Sequence, residues 1–528
     1  MKRPQEVNLS REDGEALRKR LASDALTADD RRVLGHVLEW YFWLVFTVQE
    51  ARVSLKRLRT LLFGKSPRPP KGPPPDKPLG GDMGGGGVVA ARRPGHGRRG
   101  VQAYSGAPRV ECRHETLAVG QRCPACGRGW LYSVPPGAAL RIDGNALLSA
   151  VCYVLEKLRC SACGQVFTAT LPQEAGEEKY SSRARAVLTV GRYYLGVPSY
   201  RLEGYQAMVG VPVSDATQWE QIERVADCAY PIFEALKRLA AQGEVIYQDD
   251  THVRVLTLLA ENRQRRVQDS ASQKRTGMHT TALVAVRGAH TICLYFAGRA
   301  HAGENLAALL AQRPPEHPQP LVMSDALAAN AVADESLIRC HCLAHGHRKF
   351  QELAEVFPAE CAVVLAALRQ VFDHEEAVRV QRMVPLERLA YHQQYSGPVM
   401  DQLQRWLAHQ FVSHAVEPNS SLGKAFRYLL GHWDTLTRFL TTPGAPIENN
   451  TAERALKLAI RQRKNSLFYA TAHGAYVGSL LTSLIATCVH AGINALEYLV
   501  AVQAHRSAVL QDPAAWLPWQ YQATLAPP

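Results

Sequence analysis

Residues 66–109 divide this chain more firmly than any other stretch. PRPPKGPPPDKP (67–78), GGDMGGGG (80–87) and RRPGHGRRG (92–100) combine proline, glycine and arginine with very few apolar side chains. Such a segment cannot bury enough surface to offset the entropy of ordering it, so it reads as a flexible linker. The stretches on its two sides must fold separately. Residues 51–109 also hold 13 Lys/Arg against only Asp76 and Asp82, which accounts for most of the chain's formal +13. A basic tether suits a polyanionic partner, and its arginines can track phosphates by charge alone. A merely solvated linker is the other reading.

Before the linker, residues 1–65 read as a helical, coiled-coil-like region. A long helix is expected over 27–63, where Leu38, Tyr41, Val45 and Val48 recur at three and four residue steps and Leu55, Leu58 and Leu62 resume the pattern. Dimerisation along that seam and packing on the chain itself are both open. VLEWYFWLVFTV (37–48) is too short and too interrupted for a membrane helix, which needs roughly 18 apolar residues. The N-terminus has no apolar stretch behind its charges, so no secretory signal is read there, and the expected location is the cytoplasm. A mean hydropathy of −0.18 agrees with a chain that has ample core material.

Residues 110–175 carry two knuckles, Cys123-Pro-Ala-Cys126-Gly and Cys160-Ser-Ala-Cys163-Gly. The glycine permits a tight turn that aims backbone amides at the thiolates, and four sulfurs make a closed tetrahedral site for structural Zn2+. Cys112, His114 and Cys152 are alternative ligands, and two separate redox pairs are the bland reading. Residues 176–242 read as helices near 181–194 and 200–209, a GVPVS turn and a long helix from about 214, the outline of a helix-turn-helix. Gln218, Trp219 and Gln221 would then face DNA, although such hairpins also serve purely as packing units.

Residues 243–340 change period. EVIYQDDTHVRVL, TALVAVRG, HTICLYFAG and PLVMSD are short strand-like runs, and ALAANAVAD comes next as a helix, which points to an α/β class. Alternation in the first run puts Val245, Tyr247, Asp249, Thr251 and Val253 on one face and Ile246, Gln248, Asp250, His252 and Arg254 on the other. An aspartate beside Val and Tyr is costly unless a cation or hydrogen bonds meet it. Asp325 ends a second apolar strand, where α/β sheets place ligand-binding groups. Two strand aspartates and a helix glutamate would suffice for two Mg2+ or Mn2+ ions in phosphoryl transfer, though Asp325 could equally cap a helix and Asp249 pair with an arginine.

QDDTHVRVL, MSDALAAN, CLAHGHRKF, VEPNSSLGKAFRYLL, PIENNTAERALK and RKNSLF, in that order, closely resemble transposases of the insertion sequence 66 family. The resemblance covers roughly residues 110–500. It implies an RNase H-like catalytic core, built from 243–340 and 441–500, with a DDE active site for two divalent metals. The helical stretch 341–440 then looks like an insertion, and 501–528 is read as a C-terminal tail beyond the resemblance. The family's acids fall on Asp249, Asp325 and Glu453. Asp250 replaces the glutamate usual beside the first acid and is not taken as catalytic. The aromatic residue that usually comes shortly after the second acid is absent from Leu327–Asn330.

Glu453 has a rival in Glu448. Asn450-Thr-Ala-Glu453 fits a capping box, with Asn450 as N-cap, which would hold Glu453 without any catalysis. Glu453 nevertheless projects from the rigid first turn of a helix, whereas Glu448 lies in the loop before it, and ligands are better held on rigid elements. Asn449 and Asn450 either bond DNA or shape the helix entrance. Arg454, Lys457, Arg461 and Lys464 form a basic stripe suited to phosphates or merely to solvent. In CHCLAHGHRKF (340–350) a helix with His345, Arg348 and Lys349 near DNA is favoured over a second zinc site.

The resemblance therefore implies a DNA transposase of an insertion element, bacterial and nucleoid-associated. It would cut element ends and transfer the 3′ hydroxyl into target DNA, acting as a homodimer or larger oligomer, sometimes with accessory proteins encoded beside it. A structure-specific nuclease without strand transfer and a catalytically inactive zinc-ribbon DNA-binding protein are the alternatives.

Overall fold

The computed structural model describes residues 11–23, 25–39, 116–126, 128–133, 146–159, 166–268, 276–327, 330, 332 and 336–526. The chain divides into two units, Met1–Leu140 and Arg141–Pro528. The linker 66–109 and the proposed seam beyond residue 39 lie outside the described residues.

In the first unit, helix α1 (Arg11–Ala22) precedes a second helical run over 28–39. Thr27 starts that run: its hydroxyl accepts from the Asp30 N–H at 3.1 Å while Asp30 accepts from the Thr27 N–H at 3.0 Å. Further on, Leu131 donates to Gln121 and Cys123 donates to Gly129, both at 2.8 Å, so the chain folds back tightly around the first cysteine pair.

The second unit opens with a small antiparallel pair, β1 (Lys157–Arg159) and β2 (Val166–Thr168). Cys160 and Cys163 lie between them, outside the described residues. Helices α2 (Ser182–Tyr193), α3 (Ser199–Met208) and α4 (Asp215–Ala241) come next. Ser181 and Ser214 cap α2 and α4, each accepting from the amide three residues on.

The centre is a five-stranded mixed sheet of order β5-β4-β3-β6-β7, formed by β3 (Val245–His252), β4 (His279–Arg287), β5 (His290–Gly298), β6 (Leu321–Ser324) and β7 (Ile338–His341). β4 runs antiparallel to both neighbours, while β3, β6 and β7 are mutually parallel. Ile246, Leu283, Ala285, Leu294 and Val322 pack on one face against the buried sides of α2 and α4. Ala282, Val284 and Tyr295 pack on the other against Ala455 and Leu456 of α12 (Asn450–Ser466). Helices α5 (Leu256–Gln268) and α6 (Ala302–Leu310) stand between the strand-like runs, the edge strand β7 takes in Cys340 and His341 ahead of the helix expected in CHCLAHGHRKF, and most of the expected ALAANAVAD helix lies outside the described residues.

Helix α13 (Ala472–His490) closes the β5 edge by an unusual route. Its Ser479, Ser483 and Thr487 hydroxyls accept from the N–H groups of Ala297, Tyr295 and Cys293 at 2.8–3.1 Å. Side chains four residues apart thus satisfy the alternate donors of an edge strand, which would otherwise template another strand. Among the described residues α13 is the helix long and apolar enough to cross a membrane, with 72% of its window buried in this core.

Between β7 and α12 stand α7 (Leu343–Leu353), α8 (Pro358–Gln381), α9 (Pro385–Tyr395), α10 (Gly397–Val412) and α11 (Ser421–Gly431), around their own core of Phe350, Val364, Leu368, Leu403, Leu407 and Phe426. A Cβ on Gly423 would meet the Glu417 carbonyl oxygen at 2.2 Å and Pro418 backbone at 2.8 Å. Gly423→Ala should therefore destabilise this bundle by about 1–3 kcal/mol, read as a lower midpoint of thermal unfolding; an unchanged midpoint would contradict the packing. The expected tail needs correction. Trp516, Leu517 and Tyr521 are buried in the main core, and Tyr498 Oη donates to the Trp516 carbonyl at 2.7 Å. Large aromatics in an otherwise bland C-terminus are the reason.

Candidate active site

The acids are assembled by register. β3 and β6 are parallel neighbours with Tyr247 opposite Met323, and continuing that register two residues brings Asp249, within β3, level with Asp325, the residue that follows β6. Asp249 faces α12, as the alternation required, and Asp250 faces the opposite side. Burial pushes the Asp249 carboxyl up to about 7, against the hydrogen bond it accepts from the Asp250 N–H at 2.8 Å. The negative charges of Asp325, Glu453 and Asp250 add to the rise. Asp249 thus senses both of its expected partners, whereas the charge of Glu448 is felt at Tyr247.

Asp325 is held by Asn330, whose Nδ2 donates to Oδ1 at 2.6 Å; the Asn330 carbonyl in turn accepts from Gln248 Nε2 at 2.7 Å. Asn330 is 1% exposed. It thus ties Asp325 to β3 in the stretch from which the aromatic is missing, a role that no sequence pattern around it would assign.

Glu453 sits in the first turn of α12, but the capping box does not form. Asn449, not Asn450, occupies the N-cap position and makes no side-chain cap bond. Asn449 is fully buried; its Nδ2 donates to the Gln248 carbonyl at 2.8 Å and its N–H to Cys342 Sγ at 3.2 Å. Asn449 therefore fastens the helix entrance to β3 and is withdrawn from DNA; Asn450 remains half-buried at the first helical position. The Glu453 carboxylate lies 3.8 Å from His345 Nε2, and Cys342, His345 and Glu453 offer ligand atoms within 4.8 Å of one another. His345 thus points at the acid cluster, while its Nδ1 is buried without a hydrogen bond.

Arg454, Lys457, Arg461 and Lys464 are exposed along α12. Arg461 is partly committed, since its Nη1 donates to the Tyr194 carbonyl at 2.7 Å. Arg348 and Lys349 line a cleft of about 290 Å3 with Asp325, His345 and Tyr428, and the Lys349 ammonium lies 4.4 Å from the Tyr428 ring centre. The helix-turn-helix contacts are corrected. Gln218 is buried and donates to the Ser199 and Val213 carbonyls, and Gln221 is buried and accepts from Arg185 Nε. Helices α3 and α4 form a packing hairpin at these positions.

Of the cysteines expected to hold zinc, Cys123 and Cys126 lie among the described residues. Backbone N–H groups of Arg128 and then Gly129, together with the Cys123 side chain, hold the Cys126 thiol below its ordinary value.

The sequence pattern of the transposase IS66 family matches residues 178–477. Three curated relatives come from Sinorhizobium fredii (strain NBRC 101917 / NGR234), each described as an uncharacterized protein. The protein y4jD is 30% identical over 34% of this chain and 36% of its own length. The protein y4hP is 23% identical over 71% and 68%, and y4qI 25% identical over 60% and 58%. No solved structure matches. Since the family pattern spans more than half of the chain and covers every acid of the cluster, this chain belongs to the IS66 transposase family.

Proposed function

We propose that the chain is a DDE-type DNA transposase with an RNase H-like core, in which Asp249, Asp325 and Glu453 hold the divalent ions. The observation that carries this is the acid cluster. Burial at the end of the sheet pushes the Asp249 carboxyl up to about 7, and the negative charges of Asp325 and Glu453, carried by the neighbouring strand end and by α12, add to the rise. Mutually repelling, partly buried carboxylates are unfavourable alone and fit hard divalent cations, which take oxygen ligands. Two Mg2+ or Mn2+ ions there would supply Lewis acidity and a water of lowered pKa.

The chain's residues do the rest. Asn330 fixes the Asp325 carboxylate and Asn449 fixes the helix that presents Glu453. Exposed Arg454, Lys457 and Lys464 of α12, together with Arg348 and Lys349 of the cleft beside Asp325, would hold the phosphodiester backbone so that the scissile phosphate meets the acids. Cys123 and Cys126 would supply two sulfurs to a structural Zn2+, and the backbone N–H groups that hold the Cys126 thiol below its ordinary value favour the thiolate such an ion takes.

The test is Mn2+-dependent cleavage of DNA carrying the terminus of the element that encodes the chain, comparing wild type with Asp325→Asn. Cutting by wild type alone is expected, with subsequent joining of the 3′ end to a second DNA. Cutting without joining would favour the structure-specific nuclease. End binding without cutting, even with the proteins encoded beside it, would overturn the reading.

A further inference from the structure

The opposite side of β3 carries a second cluster that the acid site does not use. Pairing in register sets Asp250 across from Thr281 and His252 across from His279 on adjacent strands β3 and β4. The chain returns after β5 with His301, immediately before α6. His301 Nδ1 lies 3.1 Å from Asp250 Oδ2, and the His279 and His301 ring centres are 3.9 Å apart. The exposed His252 ring is 5.1 Å from that of His279.

Asp250, His279 and His301 offer one ligand atom each within 4.8 Å of one another. Two ligands on one tetrahedral zinc lie about 3.3 Å apart, given bonds of roughly 2.0–2.1 Å. The Asp250–His301 separation already meets that figure, and His279 needs only a small side-chain shift. The Asp250 side chain is 8% exposed and His279 is 8% exposed, so the two bear little competition from water. The second oxygen of Asp250 accepts from Thr281 Oγ1 at 2.6 Å, and Asn305 Nδ2 donates to Thr281 at 2.8 Å. A carboxylate oriented by an outer hydroxyl that is itself oriented is what a metal ligand needs behind it. Among the described residues, His301 is the ion-pair partner of Asp250, and no Lys or Arg meets it.

We infer that Asp250, His279 and His301 form a mononuclear site for a borderline-soft divalent transition metal, Zn2+ in particular, with a fourth position open to water or to His252. Two imidazoles and one carboxylate suit zinc better than Mg2+, which prefers oxygen ligands alone. The site staples β3, β4 and the start of α6 directly behind Asp249. It is separate from the acid cluster and does not depend on the transposase reading.

The experiment counts zinc in the full chain, saturated and then desalted, for wild type, His301→Gln, His279→Gln and a control, His409→Gln, at an exposed position of α10. Each cluster variant should carry one zinc fewer per chain than wild type, while His409→Gln carries the wild-type number. With Co2+ as probe, the same variants should lose absorption bands that lack thiolate-to-metal charge transfer, which separates this site from a cysteine site. Thr281→Val, which leaves the ligands in place, should weaken zinc binding about 10–100-fold in competition with a chelator and covers the case in which a histidine variant fails to fold. Equal zinc in wild type and both histidine variants, or unchanged affinity in Thr281→Val, would overturn the site and leave a hydrogen-bonded Asp–His pair.

Discussion

Replacing Glu453 by Gln should lower the rate of metal-dependent DNA cleavage by about three orders of magnitude or more, while Glu448→Gln should leave it within about tenfold. Positioned metal ions contribute several kcal/mol to charge stabilisation in phosphoryl transfer, and about 4 kcal/mol corresponds to a factor near 10³. Glutamine keeps the length and shape of the side chain but removes the charge, so loss of activity would report ligation rather than packing. Glu453 forms no capping box, because Asn449 holds the N-cap position and spends its amide on the Gln248 carbonyl. The carboxylate is therefore free to face Asp249, whose ionisation it opposes. The charge of Glu448 is felt at Tyr247. DNA binding measured by gel shift should be retained in Glu453→Gln, since Arg454, Lys457 and Lys464 are untouched. Wild-type cutting by Glu453→Gln would transfer the role to Glu448 or dissolve the site.

The site is more legible in the sequence than the elements around it, for physical reasons. Strand alternation separates Asp249 from Asp250 because a period of two leaves no freedom about which face each meets. The helix bearing Glu453 is readable from its basic stripe, but not its cap, because choosing between Asn449 and Asn450 depends on the buried partner Gln248, supplied from 201 positions away. The apolar C-terminal helices look like a tail because short segments carry no period of their own. Gln218 and Gln221 mislead for a related reason: polar side chains on a turn-proximal helix look exposed until the carbonyls of Ser199 and Val213, or Arg185, come to meet them. The Asp250–His279–His301 cluster is invisible in the sequence because its members come from three elements joined only by sheet register.

Asp249→Asn should abolish cleavage and yet stabilise the protein above neutral pH in buffer without added Mg2+ or Mn2+. Asp249 titrates near 7 in the folded chain and near 3.9 when unfolded. Between those values the native state holds a proton that the unfolded state has released, so wild-type stability falls as pH rises from about 4 to about 7 and levels off above that. The cost is absent below pH 4 and full above pH 7. Asparagine removes it while keeping the oxygen that accepts from the Asp250 N–H. The variant's advantage should therefore grow from near zero at pH 3–4 to about 2–4 kcal/mol at pH 8, a rise of roughly 2–5 °C in the unfolding midpoint. Added Mn2+ should raise the wild-type midpoint more than that of the variant, since the proposed acid-cluster site exists in the native state and loses a ligand in Asp249→Asn. Equal midpoints for the two proteins at pH 8 would mean that Asp249 is not strained by its neighbours, and the argument for a preformed metal site would fail with it. A residue whose neutralisation strengthens the fold while ending its chemistry is retained for that chemistry.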